Sequence, residues 1–151
     1  MLYNLHQQGL IIERCWLIYE LVSDKLVPPD EFHIRYPSLV EFALTSGYFK
    51  LLVEIGGSGH SIHIYEEYEF AEYKLVLKAY VYILFDKAKN SIIRADSLPH
   101  HRIDYKGHRL AHFPNHLHDA MGRICSFSGR IEDFVRRCCT ISENGIGDVR
   151  K

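Results

Sequence analysis

Apolar residues recur at every second position through the middle of this chain. Tyr73, Leu75, Leu77, Ala79, Val81, Ile83 and Phe85 hold alternate sites, the period of a strand with one face on a core. Its other face, Lys74, Val76, Lys78, Tyr80, Tyr82 and Leu84, is amphiphilic rather than simply wet. The same period runs through Phe49, Leu51, Val53 and Ile55, and again through Ile62, Ile64, Tyr68 and Phe70. Glu66 shares that last face, where a carboxylate is costly unless partnered. Glu67 lies opposite, with His63, Tyr65 and Glu69. The Gly56–His60 loop and the Asp86–Asn90 turn are short, and a fourth strand follows over Ser91–Asp96. Short links between successive strands predict an antiparallel meander whose third strand is central and buries its odd positions.

The ends of the chain carry other periods. Residues 10–22 place Ile11, Cys15, Ile18 and Val22 on one helical face and Glu13 and Glu20 on another, although a strand pair turning at Ser23-Asp24-Lys25 fits nearly as well. Pro28-Pro29-Asp30 ends that element, and a short extended piece runs from Phe32 to Tyr36. Ser38-Leu39-Val40-Glu41 has the form of a capping box, and Gly47 suits the far end of a short helix. Ile124–Phe127 offers a strand returning to the sheet. Ser128 then caps a last helix striped by Ile131, Phe134, Val135 and Cys138, with Glu132 and Asp133 in its first turn and Arg136 and Arg137 near its end. The expected class is α+β: one domain over residues 1–151, a twisted antiparallel sheet of four or five strands flanked by N- and C-terminal helices, with a flexible tail over about residues 142–151.

Composition narrows the function classes. An apolar fraction of 47% and a charged fraction of 25% are those of an ordinary globular chain. The net charge of -1 supplies no global field for polyanions or anionic membranes, so nucleic-acid binding needs a local patch. Cys15, Cys125, Cys138 and Cys139 form no CxxC pair and read as reduced thiols of a cytosolic protein. With no signal-peptide pattern and no apolar run near the length of a bilayer span, a cytoplasmic location is expected.

Candidate chemistry gathers after the fourth strand. Six of the ten histidines fall between His100 and His118, among Asp96, Asp104 and Asp119. Imidazole titrates near neutrality and ligates metals. Pro99, Gly107 and Pro114 prevent one continuous element there. Extended chain sends His100 and His101 to opposite sides, whereas His116 and His118 share a side. One of the first pair therefore joins His116 and His118 if the loop doubles back. Two chemistries fit. Histidines act as acid and base around a phosphodiester held by Arg94 or Arg102, or three His and Asp ligands hold a divalent metal that activates water. Pro114 spoils His112 and His116 as a helical ligand pair, and this tips the balance toward metal-free chemistry. A non-catalytic loop that binds a partner or a metal is the alternative from another class.

Two motifs carry a resemblance. Asp96-Ser97-Leu98-Pro99-His100-His101 resembles an Asp-Asn-Ala-Pro-His-His motif, and Phe113-Pro114-Asn115-His116-Leu117-His118 resembles Phe-Pro-His-His-Lys-His, with a Glu-Tyr pair, here Glu67-Tyr68, on an earlier strand. Over about residues 48–118 the chain resembles the TumE-type toxins of prokaryotic toxin–antitoxin modules. Position by position, the resemblance implies a site of Glu67, Asp96, His100, His101, His116 and His118. It implies an antitoxin partner, often a helix-turn-helix protein, and an RNA target. Asn115 stands where the pattern has a histidine, which counts against a metal site that needs that residue. The expectation is a toxin-like ribonuclease.

Overall fold

The computed structural model describes residues 5–25, 32–35, 40–42, 46–55 and 60–143. Helix α1 (Leu5–Lys25) comes first, so residues 10–22 resolve as a helix rather than a strand pair. Eight antiparallel strands follow: β1 (Phe32–Arg35), β2 (Val40–Phe42), β3 (Ser46–Ile55), β4 (Ser61–Ala71), β5 (Lys74–Phe85), β6 (Ser91–Asp96), β7 (His116–His118) and β8 (Ile124–Ser126). Helix α2 (Ile131–Glu143) completes the order. The sheet runs β1-β3-β4-β5-β6-β7-β8, and β2 also pairs with β3.

The α+β class, the antiparallel meander and the helices at both ends are as the sequence implies. The strand count is higher than four or five because β1, β2 and β7 are short additions to the meander and its return strand. β2 replaces the helix expected from the capping box. Val40 and Phe42 are strand-favouring residues, and their segment pairs with β3 in the register Val40↔Phe49 and Phe42↔Gly47. Ser38, the Pro28–Asp30 turn and most of the Gly56–His60 loop lie outside the described residues. So does the tail beyond Glu143, while Ser142 still belongs to α2.

Both helices pack on one face of the sheet. Ile11 and Ile18 of α1 and Ile131, Phe134, Val135 and Cys138 of α2 join Ile62, Ile64, Tyr82, Leu84, Ile93, Ala95 and Leu117 in a single buried cluster. β5 contributes to it differently from its sequence period. Leu75 and Leu77 pack against the cluster, but beyond them the buried residues are Tyr80, Tyr82 and Leu84, the even positions. The cause is a bulge: Tyr68 pairs with Leu77 and Glu67 with Ala79, leaving Lys78 as the extra residue. One inserted residue turns every later side chain to the other face. Tyr73 is 80% exposed and precedes the strand.

At α2, the Ser128 hydroxyl accepts the Arg130 N–H at 3.1 Å and donates to Asp133, closing the entry turn. The helix runs to Glu143, so Arg136 and Arg137 sit mid-helix rather than in its last turn. No helix among the described residues is long and apolar enough to cross a membrane.

Candidate functional site

Strand alternation sends Ile93, Ala95 and Leu117 to the helix-covered face and Arg94, Asp96, His116 and His118 to the other. The β6–β7 register places Asp96 opposite His116 and Arg94 opposite His118. Four polar residues thus form a two-by-two patch on paired strands. The chain between those strands folds back over it. Gly107, at φ +88°, turns the tip, where the Asp104 carboxylate accepts the N–H groups of Lys106 and His108 at 2.8 and 2.9 Å. Leu110 N–H donates to the Arg102 carbonyl at 3.0 Å, and Tyr105 N–H to the Ile124 carbonyl of β8 at 2.9 Å. This loop brings His101 onto the patch.

The rings of His101 and His116 lie 4.9 Å apart between centroids, those of His101 and His118 5.4 Å, and those of His116 and His118 5.1 Å. One nitrogen from each of these residues lies within 4.8 Å of the others. His100 is exposed at the margin, its ring 5.4 Å from His101 and 6.0 Å from His116. The convergence of one member of the first histidine pair with His116 and His118 is therefore observed, and the member is His101.

His116 is wholly buried, and its Nδ1 lies 3.0 Å from the Pro114 carbonyl oxygen. A carbonyl only accepts, so Nδ1 carries a proton there. Nε2 is 3.3 Å from Asp96 Oδ1, yet the approach lacks hydrogen-bond alignment and leaves Nε2 without a partner. A misdirected contact is a weak bond even at this separation. The Asp96 carboxylate is occupied elsewhere: Oδ2 takes Arg94 Nε–H at 2.9 Å and Oδ1 takes Leu98 N–H at 3.0 Å. Burial, then the charges of His116 and His100, pushes His101 below the ordinary imidazole range; burial and then His116 do the same to His118. Both rings are thereby held neutral at neutral pH.

Of the other expected site residues, Arg94 belongs to the patch, whereas Glu67 and Arg102 stand apart. Glu67 is exposed on β4 and accepts the Tyr65 hydroxyl at 3.0 Å. It pairs with Ala79 of β5, whose neighbour strand carries Asp96, so two strand spacings, about 10 Å, separate their strands. Arg102 follows His101 but lays its guanidinium over Phe113, 4.8 Å from the ring centre. Arg94 commits Nε to Asp96 and keeps 38% of its side chain exposed. Asp104 and Asp119 hold turns; Asp119 accepts Met121 and Arg123 N–H groups at 2.9 Å each. His108 sits near Asp104 and His112 is exposed.

Asn115 is not at the cluster. Its side chain accepts the Tyr80 hydroxyl at 2.9 Å, donates to the His112 carbonyl at 2.8 Å, and closes on Gly129, where a Cβ would stand 2.9 Å from it. The departure from the motif thus costs the cluster no side chain. Sequence reading missed two contributors, the Pro114 carbonyl and the Leu98 N–H. Backbone groups leave no residue-type signal. Glu66, flagged only for its cost, proves to be the centre of a separate buried network with Arg14, Tyr68 and Tyr82.

No protein-family model matches the chain, and neither a curated protein nor a solved structure matches it.

Proposed function

We propose that this chain cleaves phosphodiester bonds of nucleic acid, RNA foremost, as the toxin-like component of a toxin–antitoxin module. One observation carries the reading: the loop residue His101 meets His116 and His118 of β7 in one cluster, beside an arginine–aspartate couple. His101 and His118 are neutral and partly exposed, which suits proton transfer at a phosphodiester. The free edge of Arg94 supplies positive charge next to His118 for a phosphate oxygen. Asp96 fixes Arg94 and sets a negative charge beside His116. The motif resemblance adds the toxin role and a protein antitoxin as partner.

Complete burial of His116 favours a second reading. A ring that no substrate touches suits a non-catalytic module that binds a metal or partner through the same loop. Expression of the wild type and His101→Ala in a bacterial host without antitoxin, together with purified protein on single-stranded RNA, separates the two. The nuclease reading expects growth arrest and RNA cleavage by the wild type and loss of both in His101→Ala at unchanged circular dichroism. Equal toxicity and cleavage by the folded variant sink it.

A further inference from the structure

We infer that His101, His116 and His118 form a three-nitrogen site for a divalent transition metal of the zinc class. This stands without the nuclease reading, because it concerns ligation and not turnover; with the metal bound, these rings serve as ligands and not as that reading's acid and base.

The first support is the donor set. Three nitrogens within 4.8 Å of one another come from two strand residues and one loop residue. A tetrahedral metal at about 2.0–2.1 Å from each nitrogen sets them about 3.4 Å apart. Closing that gap falls to rotation of His101 and His118, which are partly exposed, while His116 is enclosed.

The second support is independent of that clustering. His116 is 0% exposed and its Nε2 has no hydrogen-bond partner. An orphaned buried nitrogen is costly and needs an account. Its Nδ1–H on the Pro114 carbonyl is the arrangement that fixes a ligating histidine, with the other nitrogen bare toward the metal. Nε2 and the carboxylate Oδ1 of Asp96 lie 3.3 Å apart. A metal held jointly by His101 and His118 satisfies Nε2 and draws on the charge of Asp96 without needing alignment to it.

Imidazole donors select zinc, copper, nickel, cobalt or iron over magnesium and calcium, which take oxygen ligands. Three protein ligands leave a position open for water or an anion, as catalytic sites do and four-ligand structural sites do not. His100 lies at the margin of the cluster, its ring 5.4 Å from that of His101.

The test uses the full chain, stripped with a chelator and titrated calorimetrically with Zn²⁺ alone and with Co²⁺ alone. We expect one ion per chain, a visible Co²⁺ absorption band of nitrogen ligation, and a raised melting temperature with Zn²⁺. His101→Ala and His118→Ala should each lower affinity by at least about tenfold and weaken the band, while His112→Ala binds as the wild type does. Both cluster variants keep His116, whose replacement risks the fold. No stoichiometric binding by the wild type overturns the site, as does equal binding by His118→Ala. Binding equal for Mg²⁺ and Zn²⁺ overturns the metal class. RNA enters none of these readings, so a metal-binding protein that leaves RNA intact refutes only the nuclease reading.

Discussion

Glu66 and Asp96 are carboxylates of the same sheet, 0% and 1% exposed, each held by an arginine. Glu66 faces the helices. Arg14 binds it through Nε and a terminal nitrogen at 3.0 Å each, and the Tyr68 and Tyr82 hydroxyls donate to its two oxygens. Burial and the Glu66 charge push the Tyr82 phenol well above its ordinary range, so it remains a donor. Asp96 faces the other way. It has one arginine and one backbone N–H, and beside it lies an imidazole nitrogen with no partner. The first carboxylate is complete within the fold and the second borders an unmet bonding capacity. A buried charge alone therefore does not mark a site. A buried charge next to an unsatisfied donor or acceptor does.

Removing a partner from the complete network should have the largest effect. Arg14→Ala leaves Glu66 buried with its charge uncompensated, and loss of one partner of a buried pair costs about 3–5 kcal/mol. With 27% of the Arg14 side chain exposed, the lower end is expected. Urea unfolding reads it. Stability within about 1 kcal/mol of wild type would mean that water reaches Glu66 and that the two carboxylates differ less than their bonding suggests.

The two faces can be tested on β5 itself. Leu84 is 1% exposed and lies in the core after the bulge, whereas Ile83 faces the open side and is half-buried. Leu84→Ala should cost about 2–4 kcal/mol and Ile83→Ala under half of that. The reverse order would put the bulge at Lys78 in the wrong place and move Asp96 and its neighbours to the helix side.

At the incomplete carboxylate, the effect should fall on function rather than on stability. Asp96→Asn keeps the shape and an acceptor for Leu98 N–H but removes the charge beside His116. A stability loss of about 1–2 kcal/mol and a fall of at least about tenfold in Zn²⁺ affinity are expected from thermal unfolding and calorimetry. Unaltered affinity would reduce Asp96 to a second structural carboxylate, and the contrast with Glu66 would vanish.

Much of this was legible in residue types. The period of two gave β3 to β5, the Asp86–Asn90 turn placed β6 after them, the stripe Ile131, Phe134, Val135 and Cys138 gave α2, and the parity of His100, His101, His116 and His118 gave the convergence. What stayed hidden had physical causes. The period of β5 persists in sequence while the Lys78 bulge exchanges its faces, and a bulge has no composition of its own. β7 is three residues long and forms only because β6 and β8 flank it. The capping box at Ser38–Glu41 is a local preference, and pairing with β3 overrode it. Asn115 read as a lost ligand, since a motif position does not tell which way its side chain points.

The smallest effect should come from Glu67, the residue that the motif resemblance places in the site. It is the chain neighbour of Glu66, so alternation sends it to the open face, where water screens its charge and Tyr65 is its hydrogen-bond donor. Two strand spacings, about 10 Å, separate its strand from that of Asp96, and a glutamate side chain lying across Ala79 does not close that span. Glu67→Gln should therefore change stability by no more than about 0.5 kcal/mol and leave Zn²⁺ affinity and RNA cleavage at wild-type levels. Chemical unfolding, calorimetry and a cleavage assay on one preparation decide it. A folded Glu67→Gln protein that binds Zn²⁺ normally but no longer cleaves RNA would extend the working surface from the histidines across β5 to β4. The open face as a whole, rather than its β6–β7 corner, would then be the counterpart to the sealed charge at Glu66.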